Sequence, residues 1–265
     1  MELWAIVIGI AVAVGLGAYL HNRKPAGMGR ALQAVAIVAA GALSAAVAGV
    51  GLKYLASSDR APAIEAAMQT MRETHLLGLV LKENPALDAR FREAIEAELR
   101  APTRIGPQRT FVVGGEVRRD IIIPALRRAD DATALRAITA MQAFTKHLQG
   151  SNVALCKEFG VVGLQQPGRL DAAGAALFKR ALGAQEEAYL SGKSRPVAPQ
   201  QITDQEVRRL LTDAGYTAAD FETLTALGKT SDADGCAATV KLYMAPTLLP
   251  PRQGGVLARY LLTIS

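Results

Sequence analysis

Two long apolar runs near the N-terminus constrain this chain more than anything that follows them. Residues 3–20 carry no charge. Residues 31–52 carry none either, and Gln33 and Ser44 are their only clearly polar side chains. Crossing the hydrocarbon core of a bilayer takes about 20 apolar residues. The pattern therefore predicts a two-helix transmembrane hairpin over residues 1–57, with 21–30 as its loop. A cleaved signal peptide is the competing reading of the first run. It needs a basic start and a small-residue cleavage site. This chain starts Met1-Glu2, and the run ends at Tyr19-Leu20-His21-Asn22. Retention as an anchor is the expectation. Trp4, Tyr19 and Tyr54 fall near the span ends, where amphipathic rings favour the interface, and Lys53 can reach the headgroups.

The loop sets the orientation. Arg23, Lys24 and Arg30 stand in it without an acidic residue, and short basic loops stay cytoplasmic. Residues 58–265 are then expected outside the cytoplasm, in the periplasm of a Gram-negative envelope anchored at the inner membrane. Gly9, Ala13 and Gly17 form one row of small residues at four-residue spacing, and Gly41, Ala45 and Gly49 form another. Such rows let transmembrane helices approach closely. In a sequence this rich in alanine and glycine they also arise by chance, and both readings stay open.

Charge says little about partners. The formal net charge is +6, and half of it sits in the first 57 residues. With few aromatics and no basic stripe between them, nucleic acid is not an expected partner. Cys156 and Cys236 are expected to pair, because an oxidising compartment favours it. Two buried thiols are the alternative. The absence of C-x-x-C argues against a catalytic thiol pair.

Beyond residue 57 the apolar spacing is helical almost throughout, so the expected fold class is all-α. The pattern predicts a helix over about 62–81. Asn84-Pro85 then restarts the chain as N-cap and first helical residue. Leu87, Phe91, Ala94, Ile95 and Leu99 form one apolar stripe in the helix that follows. Residues 101–115 read as a loop. Phe111-Val112-Val113 and Ile121-Ile122-Ile123 are β-like runs, but a lone hairpin is marginal. A helix over 116–128 is preferred, kinked or restarted at Pro124. Asp130-Asp131 opens a helix ending near Gly150, a further helix covers about 152–159, and Leu170-Asp171 leads into one reaching about Leu190. Residues 191–202 read as a polar linker or sub-boundary. Thr203-Asp204-Gln205-Glu206 is a capping box, with Ile202 and Val207 as its hydrophobic staple. Gly215 ends that helix and Thr217 caps the next. Short helices are expected over 235–245 and 252–263. One compact domain over 58–265 is expected, because a Cys156–Cys236 bridge would span the linker.

No catalytic constellation emerges. Gly192-Lys193-Ser194 imitates the end of a phosphate-binding loop, but Glu187 stands where the first glycine is needed. Asp232-Ala233-Asp234-Gly235 imitates a calcium loop, but Ala237 and Tyr243 occupy the positions of its glycine and bidentate glutamate. His75 and His147 are isolated, with no H-E-x-x-H, and no G-x-S-x-G elbow accompanies Ser151, Ser191 or Ser194. No cofactor or metal is expected, and a small-molecule substrate is not. Arg118, Arg119, Arg127 and Arg128 form the densest basic cluster. It reads as a solvated face or as a contact to anionic headgroups or an acidic partner. Three functions stay in play. The leading one is an anchored interaction domain serving another envelope protein as accessory or assembly subunit. The second is a carboxylate hydrolase drawing on Glu65, Glu73 and His75. The third is a membrane-anchored immunity or inhibitor protein.

Overall fold

The computed structural model describes residues 61–263, apart from 101–108, 165–166 and 200–201. The apolar runs, their small-residue rows and the basic loop lie outside the described residues. Among the described residues the structure is all-helical, without a strand, and no helix is long and apolar enough to cross a membrane.

The order is α1 (Ala61–Glu73), α2 (His75–Glu83), α3 (Pro85–Arg100), α4 (Arg109–Val117), a π turn (Arg118–Ile122), α5 (Ile123–Leu126) and α6 (Asp131–Ser151). Then come α7 (Val153–Val162), α8 (Ala172–Ser194), α9 (Asp204–Asp213), α10 (Ala218–Thr225), α11 (Asp232–Met244) and α12 (Pro251–Thr263). Short 3-10 turns fill three of the joints. Helix α6 is the axis of the domain. It packs on α8 and α12 over most of its length, and on α11 and α7. Its buried stripe, with Ala134, Ala137, Ile138, Met141, Phe144 and Leu148, follows helical spacing.

Several boundaries differ from the sequence reading. The expected helix over 62–81 is broken at Thr74, which is extended, and its hydroxyl bonds back to the Thr70 carbonyl. That local bond competes with helix continuation. Pro85 does open α3, but the Asn84 amide caps the helix behind it, donating to the Val80 carbonyl at 2.8 Å. The β-like run 111–113 is helical, and α4 begins at Arg109, inside the expected loop. The kink at Pro124 is a π turn. Pro124 has no N–H to give the carbonyl four residues back, and Ile123 instead donates to Arg118, five back.

Helix α8 continues through Ser194, so the expected linker is shorter and Gly192-Lys193-Ser194 is a helical turn. Gly192 is there because α8 crosses α5 at backbone distance. A Cβ on it would lie 1.8 Å from the Ala125 carbonyl oxygen.

Both local capping signals hold. Thr203 with Glu206 and Thr217 with Asp220 form complete capping boxes on α9 and α10. Asp220 also takes Lys241 of α11 at 2.7 Å, tying the α10 end to the body. Cys156 of α7 is bonded to Cys236 of α11 across a separation of 80 residues, and both are fully buried. Closing a loop that long restricts the unfolded chain by about 4–5 kcal/mol on chain-entropy grounds. Beside it Phe144 and Phe159 meet edge-on, with centroids 5.1 Å apart, a favoured aromatic geometry.

Two glycine substitutions should separate close packing from helix propensity. Gly192→Ala places a methyl against backbone and is expected to destabilise by about 1–3 kcal/mol. Gly115→Ala, which meets nothing within 4 Å, is expected to stabilise by about 0.5–1 kcal/mol. Urea unfolding midpoints moving in the same direction for both would contradict the α5–α8 crossing.

Candidate functional site

The structure separates the residues singled out as an acid–base set. Glu65 holds two guanidinium groups, Arg72 at 2.8 Å and Arg92 at 2.7 Å. Arg92 and then Arg72 keep its carboxyl below the usual range. Glu73 accepts from the Gln69 amide at 2.7 Å. His75 faces Glu186 of α8, with Nδ1 to Oε2 at 3.3 Å. Each is committed to a different partner, so the three do not form a set around one reacting atom.

His147 is likewise committed. Its Nε2 lies 2.9 and 3.1 Å from the Asp171 carboxylate oxygens. Asp171 is the N-cap of α8 and accepts the Gly174 amide at 2.6 Å. That backbone bond first, and His147 second, hold the carboxyl low. Ser151 and Ser194 donate to carbonyls one turn back. Asp232 and Asp234 sit in the first turn of α11 behind the Ser231 cap. Among the described residues no group of three or more His, Cys, Asp or Glu side chains is placed to hold a metal ion.

The basic cluster is divided. Arg118 is buried and points inward, with Nη2 3.4 Å from the Leu262 carbonyl. Burial pulls its guanidinium down to about 10. It does not belong to a contact face. Arg119 is exposed and clasps its neighbour Asp120 at 2.8 Å. Arg127 and Arg128 remain exposed.

The turn carrying Arg127 and Arg128 is the best-built polar feature of the domain. Asp130 caps α6, accepting the Thr133 amide at 2.8 Å. Its second oxygen accepts the Ser191 hydroxyl at 2.7 Å, and Ser191 accepts the Asp130 amide at 3.1 Å. Burial opposes ionisation of Asp130, but the Thr133 and Ser191 bonds outweigh it and hold the carboxyl low. Arg259 of α12 reaches in to Asp131 and to the Ala129 carbonyl. The Val197 amide donates to the Arg128 carbonyl at 2.9 Å, which brings the segment after α8 alongside. Arg195, exposed at the end of α8, thereby joins Arg127 and Arg128. Sequence reading missed it because it lies some 70 residues away in the chain. Only the tertiary crossing of α8 over α5 unites the three.

The capping carboxylates make the fold acid-sensitive. Asp220 is held at about 2, by Lys241 first and then by the Thr217 amide and hydroxyl. A carboxyl lowered on folding contributes stability that is complete above its unfolded value, about 4, and is lost as pH falls to about 2. Solvent screening keeps that contribution to about 1 kcal/mol. Asp220→Asn is expected to lower stability at neutral pH by that amount and to flatten its fall across this window. Urea titrations at stepped pH with parallel profiles for both proteins would contradict the assignment. Set against known proteins, the chain finds no match among family models, curated proteins or solved structures.

Proposed function

We propose that this chain is a membrane-anchored, periplasm-facing helical interaction domain, an accessory or assembly subunit for another envelope protein. The observation that carries the reading is the Cys156–Cys236 bond. Disulfides persist in oxidising compartments and are rare in the cytosol. The bond thus agrees with the side of the membrane that the basic loop 21–30 implies. The anchoring rests on the two apolar runs. The interaction role rests on how the polar groups are used. Glu65, Asp130, Asp171, Glu206 and Asp220 hold arginines, lysines or helix ends in place, while Arg127, Arg128 and Arg195 stay at the surface. An interaction domain needs a rigid body that presents a face, and this architecture supplies one.

Because the native cysteines are buried, the topology test needs a reporter. Ala175 is exposed on α8. Ala175→Cys is expected to react with a membrane-impermeant maleimide in intact cells whose outer membrane has been permeabilised. Cys156 and Cys236 should resist alkylation in denaturant until a reductant is added. Labelling of the reporter only after lysis, with both native thiols free in denaturant, would place the domain in the cytoplasm and end the envelope reading.

A further inference from the structure

We infer that the Cys156–Cys236 bond is made by disulfide exchange on the open chain, before α7 and α11 come together, and that the folded domain is closed to exchange. The domain is then the product of a thiol-oxidation step in which an external disulfide takes the two electrons. The inference deepens the envelope reading and rests on it for the presence of that oxidant.

Three helices enclose the bond. Cys156 and Cys236 are both fully buried. Helix α7 runs closely along α11, and little space separates them near the bond. A Cβ on Gly160 would lie 1.9 Å from the Thr239 hydroxyl oxygen, and one on Gly235 would lie 2.7 Å from Lys157 Cγ. Lys157 fastens the same interface, donating to the Thr230 carbonyl at 2.5 Å and meeting Asp232 at 3.3 Å. From α6, the Thr145 carbonyl oxygen lies 3.6 Å from the Cys156 sulfur, and Thr145 is itself fully buried. Leu155 and Phe159 of α7 and Leu242 and Tyr243 of α11 are buried as well. Parting the two helices uncovers these side chains, so the route to the sulfurs is loss of the core rather than the opening of one loop.

Exchange needs that route. A thiolate attacks one sulfur of a disulfide and forms a mixed disulfide, which places the incoming group directly on the sulfur. In the forward direction one cysteine thiolate of the chain attacks the external disulfide and releases one of its sulfurs as a thiolate. The second cysteine thiolate then attacks the chain sulfur of the mixed disulfide and releases the other. The chain gives up two protons and two electrons, and the external disulfide leaves as its two thiols. Breaking the bond passes through the same mixed disulfide, so the access that governs reduction also governs formation. Helix α8 lies between the two cysteines in the chain. Closing the bond first therefore sets α8 within a covalent loop before it packs on α6.

The test uses the oxidised full chain in phosphatidylcholine nanodiscs and follows its reduction by dithiothreitol at stepped urea. The reductant is kept dilute enough that the rate is proportional to its concentration. Samples are denatured and alkylated at intervals, and mass analysis reads Cys156 and Cys236. Without urea, reduction is expected to be slower than in fully unfolding urea by a factor of about a thousand or more, the scale of a domain's folding equilibrium. The logarithm of the rate should rise with urea at the slope of equilibrium unfolding of the oxidised protein, read by circular dichroism. A flat profile, or reduction without urea within about tenfold of the unfolded rate, would show that exchange reaches the sulfurs in the folded chain and would overturn the inference. The profile is a property of the fold in any compartment. A cytoplasmic reporter at residue 175 with a steep profile would fail the envelope reading alone. A flat profile with the reporter outside would fail this inference alone.

Discussion

The structure depends on covering one helix from several sides. Helix α6 buries a stripe too wide for a single neighbour, from Thr133 to Leu148, with Leu135 and Ala140 packed at its margins. A helix with that much apolar surface is stable only inside a set of others. Ala134 and Ala137 on α6, and Ala181 and Ala188 on α8, are fully buried. Small residues there let the helices lie close, and Phe144, Phe159 and Phe178 cluster further along α6. The domain thus has an aromatic end locked by the disulfide and a polar end locked at the start of α6.

The polar lock solves a problem that the packing creates. The first amides of a helix have no partner within it. Asp130 supplies one, and the buried Ser191 satisfies the second oxygen of the same carboxylate. Arg259, itself buried, reaches Asp131 and the Ala129 carbonyl, so α12 is held at the same turn. A buried guanidinium is costly unless it is paired. Leu in its place would leave the Ala129 carbonyl and Asp131 without that donor. One turn therefore positions α5, α6, α8 and α12 together, and the exposed arginines are carried by that turn and by the segment it holds.

What the sequence shows of this is what local chemistry determines. The box at Thr203–Glu206 and the cap at Thr217 were legible because donor and acceptor stand three residues apart. Asp130 and Asp171 marked helix starts for the same reason, and Pro85 because proline suits a first helical turn. The all-α class followed from spacing alone, and the cysteine pairing from compartment and count. One missed feature is a choice between two local bonds: Asn84 caps the helix behind it rather than the one ahead. The others are non-local. Arg118 stands beside exposed Arg119 in the sequence, yet it is buried, with its guanidinium toward the Leu262 carbonyl of α12. Glu98 reads as one more surface acid, yet it accepts both the amide and the hydroxyl of Thr110. Burial pushes its carboxyl up against those bonds. The partner that makes this possible, Thr110, comes twelve residues later, across a segment with no apolar period to follow.

The same distinction explains why the approach of the segment after α8 to Arg128 is visible only in three dimensions. Arg127 and Arg128 in sequence are two charges on a short helix end, and such pairs are ordinarily solvated. Arg195 follows the end of a long helix. Their union requires α8 to cross α5 at Gly192, where any side chain would meet the Ala125 carbonyl. That crossing also fixes the backbone at Arg128 through Val197.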